Sequence, residues 1–93
     1  MAKRNANDGS GRGASELQLL TGAVADTSTL SDEGLGNATG MFASTDGTIE
    51  VKLLRNTTSK IVPVTSYKDY IWNIESVGAG GTIDLSTVVL FWQ

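Results

Sequence analysis

Through the second half of the chain, apolar side chains fall on alternate residues. In Thr48-Ile-Glu-Val-Lys-Leu-Leu54, Ile49, Val51 and Leu53 share one face while Glu50 and Lys52 occupy the other, the period of a strand with one buried and one wet side. Residues 40–44 read as a partner strand, and Asp46-Gly47 between the two predicts a tight hairpin, whose central residues need positive φ. After a turn at residues 55–58, residues 59–66 alternate again with Val62 and Val64 inward. Pro63 offers no N–H to a ladder, so this strand is expected at an edge or a bulge. A further turn at residues 67–69 leads to strands over 70–77 and 82–92, separated by Gly78-Ala-Gly-Gly81, whose glycines permit tight turning.

The first half is patterned differently. Residues 1–15 contain no large apolar side chain after Met1 and so have nothing of their own to bury against the entropy of ordering. They are expected to form an extended, glycine-rich arm that is flexible or ordered by a partner. Residues 16–21, with Leu17 and Leu19 on one side, predict a short strand ending at Gly22; residues 23–38 are turn-rich, with 31–34 a loop or a single helical turn. Turn signals every 8–12 residues and a near absence of helical periodicity predict an all-β fold, a small antiparallel β-sandwich or barrel of about six or seven strands. The expected organisation is an arm over 1–15 and one all-β domain over 16–93, best defined over 40–93.

Composition narrows the chemistry. The 93 residues include no cysteine and no histidine, which removes a Ser-His-Asp triad, a thiolate nucleophile, an iron-sulfur cluster and an ordinary zinc site. A carboxylate pair such as Asp69 and Glu75 remains conceivable for glycoside chemistry, but nothing in the spacing selects those two. No enzymatic activity, cofactor or metal is therefore expected. Seven Lys and Arg against ten Asp and Glu give a net charge of −3, the opposite of a nucleic-acid binder's footprint. The only basic feature is the arm, where Lys3, Arg4 and Arg12 stand against Asp8; it reads as a solubilising tail or as a contact for an acidic neighbouring protein. No signal-peptide pattern follows Met1, and the longest apolar-rich stretch, residues 83–92, is half the length of a membrane helix. A soluble chain made in a cytoplasm is expected, with no membrane partner.

The end of the chain carries the strongest partner signal. In Ser86-Thr-Val-Val-Leu-Phe-Trp92, Val89 and Phe91 point to one side while Val88, Leu90 and Trp92 point to the other, so both faces are apolar and both need cover. Either residues 17–20 fold back over the second face, or a neighbouring copy supplies it. On the latter reading Phe91 belongs to the core, and Val88, Leu90 and Trp92, joined by Tyr70 and Trp72, form a partner interface in a cyclic homo-oligomer of three or more copies.

Thr45-Asp-Gly-Thr-Ile-Glu-Val-Lys-Leu53, the proline-containing strand after it, Tyr70-Ile-Trp-Asn-Ile74, and Gly81-Thr82 followed by Val88-Val-Leu-Phe-Trp92 together resemble small virion structural proteins of tailed bacteriophages, of the spike-base and capsid-decorating β-sandwich type. The likeness covers residues 45–92, about half the chain; Trp72 and Asn73 stand where such sequences often carry basic residues. What the resemblance implies is a non-enzymatic virion component that decorates or cements a phage head or sits at the base of a spike or fibre. Its location would be the virion, after assembly in the host cytoplasm, and its partners other virion proteins such as the major capsid or spike protein. The alternative is a carbohydrate- or receptor-binding β-sandwich module that stacks Tyr67 or Trp72 on sugar rings.

Overall fold

Among the described residues six short strands form where the alternation is strongest: β1 (Glu16–Leu19), β2 (Gly40–Ala43), β3 (Gly47–Leu53), β4 (Lys60–Val64), β5 (Ile74–Gly78) and β6 (Val88–Trp92). The structure, a computed structural model, describes residues 13–93; Lys3, Arg4 and Arg12 lie outside the described residues. All pairings are antiparallel, in two three-stranded sheets of order β1-β6-β2 and β4-β3-β5. The all-β sandwich expected from the pattern is therefore present, and its only helical pieces among the described residues are 3₁₀ turns at Thr27–Leu30 and Leu85–Thr87. β4, with Pro63, is an edge strand.

Three expectations are corrected. First, β2 and β3 do not form a hairpin: β2 pairs with β6 and β3 with β4 and β5. Gly47 does not take positive φ, which among the described glycines is confined to Gly34 and Gly36; the Asp46 carboxylate instead accepts from the Ser66 N–H at 2.7 Å. The Asp-Gly step thus carries the chain from one sheet to the other. Second, the strand expected over 70–77 begins only at Ile74, and Tyr70 instead bridges Met41 at the free side of β2. Third, the strand expected over 82–92 begins at Val88, because the Asp84 carboxylate caps a 3₁₀ turn by accepting from the Ser86 N–H (3.0 Å) and hydroxyl (2.8 Å).

The core lies between the sheets. Met41, Ala43, Val88, Leu90 and Trp92 from the first sheet face Ile49, Val51, Val64, Ile74 and Val77 from the second, closed by Leu20, Ala38 and Ile83. Among the described residues its one buried polar side chain is Thr27, fully enclosed. The hydroxyl donates to the Ile74 carbonyl (2.5 Å) and accepts from the Ala38 N–H (2.9 Å) and from Asn37 Nδ2 (3.2 Å), meeting the requirement that a buried polar group be paired. One side chain thereby ties the first 3₁₀ turn to β5 and to the segment entering β2.

The glycines of the 78–81 loop are needed for close approach, not for positive φ. A Cβ on Gly78 or Gly80 would overlap the Glu50 carboxylate, and one on Gly81 would overlap the Thr48 carbonyl of β3. That carboxylate accepts from the Ser59 hydroxyl (2.6 Å) and the Gly80 N–H (2.8 Å). These bonds, the Ser59 one foremost, hold Glu50 below the ordinary glutamate value despite partial desolvation.

Candidate interaction surface

The two sheets differ on their outer faces. On the second sheet the outer positions are mainly polar: Glu50 is held by Ser59, and Lys52 forms an ion pair with Glu75 at 2.8 Å. On the first sheet they are apolar. Leu17, Phe91 and Gly40 stand side by side across the three strands, and Leu19, Val89 and Phe42 form the next row. A cleft of about 200 Å³ on this face is lined by Gly13, Ala14, Leu17, Phe42, Asp69, Ile71 and Phe91. A sheet whose outer face is left to water carries polar residues there; this one carries exposed large hydrophobic side chains, Leu17 at 55 % and Leu19 at 68 %, with Ile71 at 60 % beside it.

Gly40 makes the centre of this face. A Cβ there would overlap Phe91 Cζ and Cε1, so the absent side chain is what lets the Phe91 ring lie flat over β2, an aromatic filling the place of a sheet glycine. Phe91 is thereby 5 % exposed, and the flanking leucines and Ile71 form a rim around it. Ile71 also lines a second cleft, of about 430 Å³, with Leu53, Leu54, Arg55, Trp72 and Asn73. The apolar surface therefore continues past the sheet edge to Leu54, which is 47 % exposed.

The sequence-predicted interface is divided by the fold. Val88, Leu90 and Trp92 are buried within the chain at 0 %, 0 % and 1 % exposure, which corrects their assignment to a neighbouring copy: the second sheet covers them. The Trp92 indole N–H donates to the Gly36 carbonyl at 2.8 Å, so even its polar edge is satisfied internally. Nor does the 17–20 segment fold over β6; β1 lies beside it in the same sheet. The outward side of β6 carries Val89 and Phe91, and Phe91 is itself buried, as expected of it; alternation defines two faces without saying which one the second sheet will cover.

Tyr70 and Trp72 are half-buried and stacked on each other, ring centroids 4.9 Å apart at 38°. The Tyr70 hydroxyl accepts from the Thr65 N–H at 2.8 Å, and Lys68 Nζ lies 5.4 Å from its ring centroid. Both aromatics pack on the core, and Trp72 lines a surface cleft. Tyr67 is 76 % exposed and is the one non-glycine residue with positive φ among those described, at 58°, an uncommon conformation for a bulky side chain. Asp69 lines the first sheet's outer cleft while Glu75 is ion-paired on the second sheet, so the carboxylate pair entertained from sequence is not assembled. No cluster of three or more metal-ligating side chains occurs among the described residues.

Sequence reasoning missed the two capped turns that aim these surfaces. Asp26-Thr-Ser-Thr29 and Asp84-Leu-Ser-Thr87 share one pattern: the carboxylate accepts from the N–H and hydroxyl of the Ser two residues on, and the Thr hydroxyl donates back to the Asp carbonyl. The repeated D-x-S-T is the signal that would have located both. No protein-family model matches the chain, and no similar protein is found among curated proteins or solved structures.

Proposed function

We propose that this chain is a non-enzymatic structural protein of a virion, one that decorates or cements a bacteriophage head or forms the base of a spike or fibre. The observation that carries the structural role is the unequal pair of outer faces: a mainly polar one on the second sheet, where Ile61 and Pro63 are the apolar exceptions, and an all-apolar one from Leu17 and Leu19 across Phe91 to Ile71 on the first. Surfaces of that kind on a small domain mark sites of association. The likeness of residues 45–92 to phage virion proteins supplies the setting. Immunogold labelling of particles purified from the source culture, with antibodies to the isolated protein, tests it: regular labelling of heads or tail bases is expected, and particles free of the protein would refute it.

A second reading, glycan binding, is favoured by the 430 Å³ cleft in which Trp72 meets Arg55 and Asn73, an aromatic platform beside hydrogen-bonding side chains. A glycan array with the isolated module separates the two. Selective binding lost in Trp72→Ala supports the second reading, and an empty array leaves the structural one.

A further inference from the structure

Two short segments meet at the end of β3 and enclose the cleft that holds Trp72. The β3–β5 register shifts between Lys52 and Leu53, after which Leu53 pairs with Ile74 and the Leu54 N–H donates to the Asn73 carbonyl at 3.1 Å; an irregularity of this kind re-aims the side chains beside it. Leu54 and Arg55 then form the centre of a turn closed by the Asn56 N–H donating to the Leu53 carbonyl at 3.0 Å. The turn is pinned a second time, because the Asn56 side-chain oxygen accepts from the Leu53 N–H at 3.1 Å. Arg55 is thereby delivered to a cleft of about 430 Å³ whose other lining residues are Leu53, Leu54, Ile71, Trp72 and Asn73. The Trp72 ring is held by its stack on Tyr70, whose hydroxyl is fixed by the Thr65 N–H. Both parts of the cleft are therefore pre-formed.

The polar groups in it are unengaged. The Arg55 guanidinium, the Trp72 indole N–H and the Asn73 side-chain amide have no hydrogen-bond or ion-pair partner among the described residues. Arg55 is also the single charged residue of the lining: Asp69 lines the cleft on the first sheet, and Glu75 is taken by Lys52 at 2.8 Å. Such a site suits an anion of one charge. A guanidinium holds a carboxylate through two parallel N–H···O bonds, whereas phosphate sites gather several cations or a nest of backbone N–H groups. The face of an indole is electron-rich and attracts the weakly positive C–H face of a sugar ring, while the Asn73 amide both donates to and accepts from ring hydroxyls. The cleft's volume falls in the range of small-molecule sites, roughly 300–1,000 Å³.

We infer that this cleft binds a carboxylated sugar of the uronic- or sialic-acid class, its ring on Trp72, its carboxylate on Arg55 and its hydroxyls on Asn73. This rests on the glycan-binding reading of the cleft and names the ligand class. Titration of the ¹⁵N-labelled full chain with methyl glucuronide, sialyllactose and methyl glucoside, followed by NMR, tests it. The glucuronide and glucoside differ only at the carboxylate, and one or both acidic sugars should shift the Trp72 indole and Asn73 side-chain amide signals with a Kd about tenfold below that of the glucoside. Whichever acid binds more tightly identifies the class member. Arg55→Gln, an exposed change in a turn, should bring acidic and neutral sugars to within about twofold, while Arg55→Lys keeps part of the preference and Lys60→Gln on β4 all of it. High salt should weaken the acidic sugars alone. Equal binding of acid and neutral sugar, a preference that survives Arg55→Gln, shifts that avoid Trp72 and Asn73, or equally large shifts with tetraglutamate would each overturn the inference. The first two leave the glycan reading standing; no shift with any of the three sugars would overturn both.

Discussion

Thr27→Val removes one oxygen from the centre of the fold while keeping the side chain's shape. The Thr27 hydroxyl is fully buried and accepts from the Ala38 N–H at 2.9 Å while donating to the Ile74 carbonyl. Valine leaves the Ala38 N–H, itself on a residue with 0 % exposure, without an acceptor in a dry site. An orphaned buried donor costs about 1–3 kcal/mol, and roughly 2 kcal/mol is a fair central figure here because the Asn37 amide retains Asp26 as a second acceptor. For a domain of this size about 1 kcal/mol shifts Tm by some 4–8 °C, so a fall of roughly 8–16 °C is expected. Thr27→Ser is the control: it keeps the hydroxyl and loses one methyl, a change of about 1 kcal/mol. Calorimetric melts of the three proteins at neutral pH give the order, and amide exchange at Ala38 should accelerate in the valine variant alone. A Thr27→Val protein as stable as wild type, or more stable than Thr27→Ser, would refute the claim that this hydroxyl joins the 3₁₀ turn to both sheets.

Gly81→Ala should destabilise by about 1–3 kcal/mol in a denaturant titration, because the added methyl meets rigid β3 backbone at Thr48 and Ile49 and not a movable side chain. Trp92→Ala should remove about 3–5 kcal/mol and leave the chain largely unfolded by circular dichroism, because the ring is buried in the core and not in a partner interface. Acid should destabilise the protein: Asp26, Glu50 and Asp84 are held below their ordinary values by hydrogen bonds from Ser28, Ser59 and Ser86. A carboxyl with a lowered folded pKa contributes stability that is complete above its unfolded value, 3.8 for Asp and 4.5 for Glu, and lost as pH falls through the folded one. Melting temperature should therefore be flat above those values and fall below them, with a shallower fall in Glu50→Gln; a profile that rises on acidification would contradict the assignment.

Much of the strand layout was legible because alternation is a local property. Ile49, Val51 and Leu53 against Glu50 and Lys52 define β3, and Pro63, unable to donate, marks β4 as an edge. The low helix content was equally readable. Pairing was not, because partners are chosen across long sequence distances: Asp46-Gly47 carries the chain between sheets, and β6, last in sequence, pairs with β1 and β2. The interface followed the same logic. A strand apolar on both sides states that two covers exist, yet only the sheet-on-sheet arrangement decides that Val88, Leu90 and Trp92 face the core and that Val89 and Phe91 face outward. Gly40, unremarkable in sequence, acquires its role only when Phe91 lies across it, and Thr27 only when two distant backbone segments, at Ala38 and Ile74, converge on its hydroxyl. Periodicity gives each strand its two faces; which face is buried depends on what the rest of the chain places above it.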